Sequence, residues 1–170
     1  MASNYVVTGW IASISILLCM ISWVTNVVSN PVVILPLYIY PYPQSTWSTI
    51  LTSLSANPSL QVIAVINPSS APGPGPFPNS DFIQAIASLN SHPNLQTICY
   101  IHTSVATQPT AEVMEEINIC AGWATYLGAD IHMGEIFFDE APYIFTVAAA
   151  AYMRKYPPTL LSYLALAVTL

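Results

Sequence analysis

The stretch Gly134 to Pro142, GEIFFDEAP, decides the fold and carries the most unusual chemistry of the chain. Its apolar run Ile136-Phe137-Phe138 is typical of a buried strand, and the run ends abruptly in two carboxylates, Asp139 and Glu140. Only 6% of the chain is charged, against roughly a quarter of an ordinary domain. Because ligands bind at the carboxyl ends of strands in parallel α/β folds, we predict that both acids lie in an active site.

Further strand and helix patterns repeat on the amino-terminal side of this stretch. Strands that alternate with amphipathic helices at about 30-residue spacing predict βαβ units and a parallel sheet. Two arrangements of such a sheet remain as alternatives, a doubly wound sheet and a (β/α)₈ barrel. No phosphate-binding glycine motif follows any strand. The predicted strands are Val32–Tyr40, Gln61–Ile66, Thr97–His102 and Gly134–Asp139.

The two ends of the chain depart from this repeat. Residues 5–28 carry no charge, which predicts a signal peptide or a signal-anchor helix within residues 1–30, and a buried core helix is the weaker alternative. The repeat fills residues 31–155. No fifth strand is evident in the apolar tail 156–170, which we interpret as a helix over the sheet edge or as the product of a truncated gene. We expect a protein anchored in a membrane and facing outside, or secreted, or in the cell wall.

Composition excludes several function classes. The only basic residues are Arg154 and Lys155 and the net charge is −6, so the footprint of a nucleic-acid-binding protein is missing. The histidines and cysteines lack metal-ligand spacing, which predicts no metal.

Cys99 and Cys120 are the one pair of cysteines that could form a disulfide, but we favour the interpretation that both pack as small apolar residues. Three acids form a predicted solvated face of the third helix: Glu112, Glu115 and Glu116.

Five blocks of the chain, in order, resemble the spherulation-specific family of fungi and slime moulds, the spherulin-four type. The resemblance covers about residues 32–154 and implies a (β/α)₈ TIM barrel of which this chain holds about four N-terminal βα units. It also implies a glycoside hydrolase, since similar proteins cleave galactosaminogalactan, an exopolysaccharide that contains N-acetylgalactosamine. The blocks are LPLYIYP (35–41), INPSSAPGPGPFPNSDFIQAIASLN (66–90), IHTSVATQ (101–108), EEINICAGWATYLGADI (115–131) and GEIFFDEAP (134–142).

The resemblance matches Asp139 and Glu140 to the acidic pair of that family, whose further catalytic glutamate lies on a later strand than this sequence contains. Strand alternation would put the two acids on opposite faces, so they form a poor acid and nucleophile pair unless the strand end is kinked, helped by Pro142. We assign Glu140 as the general acid and Asp139 as a supporting carboxylate that orients the acid or a substrate amide. Capping of the next turn is the alternative role. The chemistry requires no cofactor.

Other strand ends supply candidate substrate-binding residues. Tyr38 and Tyr40 end the first predicted strand and share a face at i, i+2, and their rings suit stacking on sugar faces. Asn67 ends the second strand and His102 the third, where amide and imidazole groups would bind hydroxyls. For His102 the alternative is a hydrogen-bonded core histidine. A catalytically inactive carbohydrate-binding or cell-surface protein, or an inactive fragment of a longer gene product, is the alternative to the hydrolase.

Overall fold

Strands and helices alternate along the part of the chain that the computed structural model describes, residues 32–42, 47–156 and 162–165. A short 3₁₀ turn, Trp123–Thr125, extends the third helix. The elements in chain order are β1 (Val32–Leu37), α1 (Ser48–Ala56), β2 (Gln61–Ile66), α2 (Ser80–Asn90), β3 (Leu95–His102), α3 (Thr110–Gly122), β4 (Glu135–Asp139), α4 (Val147–Met153) and β5 (Ser162–Ala165).

The strands form one parallel sheet in the order β1-β2-β3-β4-β5, so each strand pairs with the next one along the chain. In the register, Ile66 of β2 lies opposite Cys99 of β3, and His102 of β3 lies opposite Asp139 of β4. Long runs of β-branched and aliphatic residues favour such strands, and in this sheet they supply buried side chains on both faces. The predicted α/β fold with a parallel sheet is confirmed.

The fifth strand corrects the interpretation of the tail. Residues Ser162–Ala165 pair in parallel with Glu135–Phe138 of β4, although the sequence showed no strand between residues 156 and 170. A strand of four residues is too short for its own pattern to be distinctive. Its conformation depends on the free backbone N–H and C=O groups that the edge of β4 presents.

All four helices pack on one face of the sheet. Leu54, Phe82, Ile117 and Tyr152, one from each helix, belong to a single buried cluster. On the sheet this cluster includes alternate residues such as Ile66, Ile101 and Phe138. The opposite face carries a second, smaller cluster made of strand residues alone: Val65, Ile98, Tyr100 and Phe137, flanked by Ile34 and Ile63.

Element boundaries follow local chemistry and shift some predicted ends. Asn79 caps α2, since its Oδ1 accepts from the N–H groups of Asp81 and Phe82 at 3.1 and 3.2 Å. β1 ends at Leu37 rather than Tyr40. The helix α3 ends at Gly122, where the chain tightens into the 3₁₀ turn that buries Trp123 completely.

Cys99 and Cys120 form a disulfide, so the interpretation of both as unpaired packing residues is wrong. Cys99 lies on the helix-covered face of β3, and Cys120 lies on the inner stripe of α3 with Val113 and Ile117. The two Cα atoms are 6.2 Å apart, within the range that a disulfide spans. The pairing depends on how α3 packs across β3. The residues next to each cysteine in the sequence do not specify that packing.

Among the described residues, none of the helices has the length and apolar character needed to cross a membrane. The predicted signal peptide or signal anchor, residues 1–30, lies outside the described residues.

Candidate functional site

The carboxyl ends of β1 to β4 bring most of the predicted site residues to one edge of the sheet. The register places Tyr38, after β1, beside Asn67, after β2, because the preceding residues Leu37 and Ile66 are partners. His102 and Asp139 are partners across β3 and β4. By strand alternation these side chains belong to the helix-free face, which we call the open face. Four of the six predicted site residues share this rim: Tyr38, Asn67, His102 and Asp139.

Tyr100, which the sequence analysis missed, lies at the centre of this rim. Its hydroxyl donates a hydrogen bond to Oδ2 of Asp139 at 2.8 Å. Its ring meets that of Tyr38 edge-on at 5.3 Å and stacks on Phe137 at 6.3 Å. The available signal was alternation, because Tyr100 is two residues before His102 and therefore shares its face.

Two tyrosine phenols of the rim stay protonated well above neutral pH. Partial burial raises the pKa of Tyr38 to about 12, and the negative charge of Asp139 adds to the effect. Burial also raises the pKa of Tyr100 above its ordinary value, reinforced by its hydrogen bond to Asp139. Both hydroxyls can therefore donate hydrogen bonds at neutral pH.

Glu140 kinks the end of β4. Its φ of +50° lies in the left-handed region, which costs a side-chain-bearing residue about 1–2 kcal/mol. The neighbouring loop holds this conformation, since the Glu140 carbonyl accepts from the Val105 N–H at 2.9 Å and the Thr103 hydroxyl at 2.8 Å. The negative charges of Glu140 and Asp139 both act on the Tyr100 phenol. The kink thus brings the two acids to one neighbourhood despite strand alternation.

The loop that braces Glu140 is itself strained. Ser104, Val105 and Ala106 have successive φ angles of 46°, 54° and 65°, which residues with side chains rarely adopt. Strained backbone of this kind clusters at functional sites when the surrounding contacts hold it in place. The loop between β3 and α3 is therefore built around the end of β4.

His102 and Asn67 offer further polar groups at the rim. The Nδ1 atom of half-buried His102 lies 3.0 Å from the carbonyl oxygen of Ser70, which favours the tautomer with the proton on Nδ1 and leaves Nε2 as an acceptor. The Oδ1 atom of Asn67 is buried and has no hydrogen-bond partner among the described residues. Both groups can bind hydroxyl or amide hydrogens.

Tyr40 does not join the rim, so its predicted place beside Tyr38 is wrong. β1 ends at Leu37, and alternation no longer applies to the bent chain that follows. The Tyr40 hydroxyl donates to Oδ2 of Asp81 at 2.6 Å, and its ring meets Phe82 edge-on at 5.3 Å. Tyr40 therefore packs on α2, on the helix-covered side of the sheet.

Glu116 is not the solvated residue that the sequence predicted. Its Oε1 accepts from Nε2 of buried Gln108 at 3.1 Å, while its Oε2 is buried without a partner among the described residues. Burial raises the pKa of Glu116, and the hydrogen bond from Gln108 opposes this shift. Gln108 draws the side chain inward from the loop before α3, a contact that helical spacing alone does not show.

A groove of about 290 Å³ lies beside the loop that follows β4. It is bordered by Val105, which bonds to the Glu140 carbonyl, and by Pro142 and Tyr143. The exposed aromatic rings of Tyr143 and Phe145 follow in the same loop. No cluster of three potential metal ligands occurs among the described residues.

Comparisons with known proteins agree with the resemblance seen in the sequence. The model of spherulation-specific family 4 matches residues 32–162. The crystal structure of Aspergillus clavatus Sph3 in complex with GalNAc matches with a TM-score of 0.71 and 32% sequence identity. The match covers 74% of this chain and 50% of the Sph3 chain, so this chain spans about half the length of that protein. No curated protein matches.

Proposed function

The chain belongs to spherulation-specific family 4, and from that premise we propose a glycoside hydrolase-like protein acting on a polysaccharide that contains N-acetylgalactosamine, of the galactosaminogalactan type. The observation that carries this proposal is the rim itself, where aromatic, amide, imidazole and carboxylate groups from four successive strand ends converge beside Glu140. The likeness to Sph3, whose structure contains GalNAc, supports an amino sugar as the ligand.

We further propose that the sheet is part of a (β/α)₈ barrel, with the open face as the barrel interior. Sequential strand order and helices on one face support this reading, because a doubly wound sheet carries helices on both faces. In a barrel the rim at the carboxyl ends of the strands is the catalytic face. The acids of β4 would then stand at the mouth of the barrel.

In the proposed mechanism, Glu140 donates its proton to the glycosidic oxygen as the bond to the leaving sugar breaks. Water then adds to the anomeric carbon and gives up one proton to the Glu140 carboxylate, which restores the acid. Asp139 supports the reaction by accepting a hydrogen bond from the substrate amide. Tyr38 stacks on a sugar face, and Asn67 and His102 bind hydroxyl groups. Two observations support this role for Glu140: its left-handed backbone follows the last residue of β4, and Val105, which bonds to its carbonyl, borders the groove.

A non-catalytic carbohydrate-binding protein is the second candidate, and the spacing of acids favours it. Glycosidases need carboxyl groups about 5–9.5 Å apart on the two sides of the bond. The next acid on the same face of β4 is Glu135, four residues before Asp139 and about 13 Å away along an extended strand. Within the described residues, β4 therefore supplies only the adjacent pair Asp139 and Glu140 at this rim.

One experiment separates the two candidates. The purified chain is incubated with galactosaminogalactan, and both polysaccharide binding and the release of reducing ends are measured for wild type, Glu140→Gln and the exposed control Glu112→Gln. The hydrolase proposal expects release by wild type and by the control, and binding without release by Glu140→Gln. Binding without release by wild type would favour the second candidate, and absence of binding would contradict both.

We also propose that the protein acts outside the cell, at the membrane surface, in the wall or in the medium. The Cys99–Cys120 disulfide supports an oxidising compartment, since cytosolic proteins rarely keep disulfides. Fractionation of producing cells with an antibody against residues 47–156 tests this, and recovery of the protein in the cytosol alone would contradict it.

A further inference from the structure

We propose that Tyr100 is a positioning residue that holds Asp139 in one orientation and keeps its second carboxylate oxygen open to the sugar. The inference rests on the proposed function for the identity of the ligand. The sequence offered no motif for this role, and the contact joins residues 39 positions apart.

Tyr100 holds only one of the two carboxylate oxygens of Asp139. Tyr100 is buried, and its ring is fixed between Tyr38 and Phe137. From this fixed ring the hydroxyl donates to Oδ2 of Asp139 at 2.8 Å, while the described residues offer Oδ1 no hydrogen-bond donor. A rigid donor on one oxygen of a half-exposed carboxylate selects one rotamer and leaves the other oxygen as an acceptor for substrate.

The surrounding charges favour a strong bond between Tyr100 and Asp139. The groups that face this carboxylate are the phenols of Tyr38 and Tyr100, the acid of Glu140, and His102, its partner across the strands. No Lys or Arg of the described residues forms an ion pair with Asp139. The phenol of Tyr100 is therefore its principal hydrogen-bond donor, and a bond to an ionised acceptor is stronger than one between neutral groups.

A double-mutant cycle tests whether Tyr100 acts through Asp139. Affinity for a GalNAc oligosaccharide is measured for wild type, Tyr100→Phe, Asp139→Ala and the double variant. Phenylalanine keeps the ring contacts and removes only the hydroxyl, and alanine removes both oxygens that could accept from it. We expect Tyr100→Phe to weaken binding about tenfold in the wild-type background and to have little effect in the Asp139→Ala background.

The matched control is Tyr126→Phe, which removes a phenol from a ring that packs against Phe77. It should bind like wild type. Equal losses from Tyr100→Phe in both backgrounds would overturn the proposal, because the hydroxyl would then act independently of Asp139.

A second readout needs neither activity nor sugar binding. Side-chain NMR couplings of Asp139 should show one χ1 rotamer in wild type and averaging over rotamers in Tyr100→Phe. A single rotamer in Tyr100→Phe would overturn the positioning role even if the protein binds sugar. If wild type binds no sugar but Tyr100→Phe frees Asp139, the proposed function fails and the positioning role stands.

Discussion

The Sγ atoms of Cys99 and Cys120 are bonded to each other, which ties the centre of β3 to the inner stripe of α3. Both residues are completely buried in the layer between helix and sheet. β3 carries Tyr100 and His102, so the link lies one residue from the hydroxyl that contacts Asp139. The strand β3 therefore links the stability of this layer to the geometry of the rim.

Replacing Cys120 with serine should lower the free energy of unfolding by about 2–4 kcal/mol. The disulfide joins residues 21 positions apart, and the unfolded chain gains entropy when this link is removed. Urea unfolding followed by tryptophan fluorescence measures the loss. Equal unfolding midpoints for Cys120→Ser and wild type would contradict a stabilising disulfide.

Glycine at position 140 should be more stable than alanine there by about 1 kcal/mol, since only glycine adopts the left-handed φ of +50° without steric cost. The two variants are compared by chemical unfolding. Glu115, which is exposed within α3, provides the opposite control, because Glu115→Gly should be less stable than Glu115→Ala in a helix. The same order at both positions would show that residue 140 is unstrained.

Stability should fall as pH rises through the titration of Glu116. Burial raises its pKa in the folded protein above the ordinary 4.5, so the folded state holds a proton that the unfolded state releases first. The contribution is fully present below about pH 4 and disappears as pH passes the raised value. Free energies of unfolding between pH 4 and 8 should show this slope in wild type and not in Glu116→Gln.

The exposed position Glu112 of the same helix supplies the control for this pH series. Glu112→Gln should keep most of the wild-type slope, because the charge of Glu112 adds less to the raised pKa of Glu116 than burial does. A Glu116→Gln profile parallel to wild type would show that burial does not raise the pKa of Glu116 in the folded protein.

Asn94 should be among the polar residues least tolerant of substitution. Its buried Nδ2 donates to the carbonyl oxygens of Leu54, Asn57 and Leu60 at 3.0–3.2 Å, which joins the end of α1 to the start of β3. Asn94→Ala should cost about 1–3 kcal/mol, because buried carbonyls lose their donor. Asn94→Asp should cost more, since a carboxylate would face three carbonyl oxygens.

Thermal unfolding of the Asn94 variants beside Asn118→Ala, an exposed amide on α3, measures these effects. The Asn118 variant should unfold like wild type. An Asn94→Ala variant as stable as wild type would show that water replaces the lost donor at no cost.

Sequence patterns predicted the features that depend on neighbours in the chain. Alternation within GEIFFDEAP put Asp139 and Glu140 on opposite faces without telling which face is open. The positions of Tyr38, Asn67 and His102 at strand ends predicted their place at the rim. The roles assigned to these site residues stay predictions.

Contacts between distant segments decided the rest. Asp81 draws Tyr40 away from the rim across 41 positions, and Gln108 buries Glu116 although helical spacing put that acid on the outer face. The same holds for the Cys99–Cys120 pair and for β5, whose short strand forms against the edge of β4.

The sequence by itself determined which residues alternate on each strand, and therefore that Asp139 ends an apolar strand at the rim of a parallel sheet. Only the tertiary structure decided that Tyr100 holds this carboxylate and that Glu140 turns out of the strand through a left-handed kink. The physical reason is the distance along the chain between the groups that interact. A strand's periodicity is fixed by its own backbone, whereas a hydrogen bond across 39 positions exists only once β3 and β4 lie side by side.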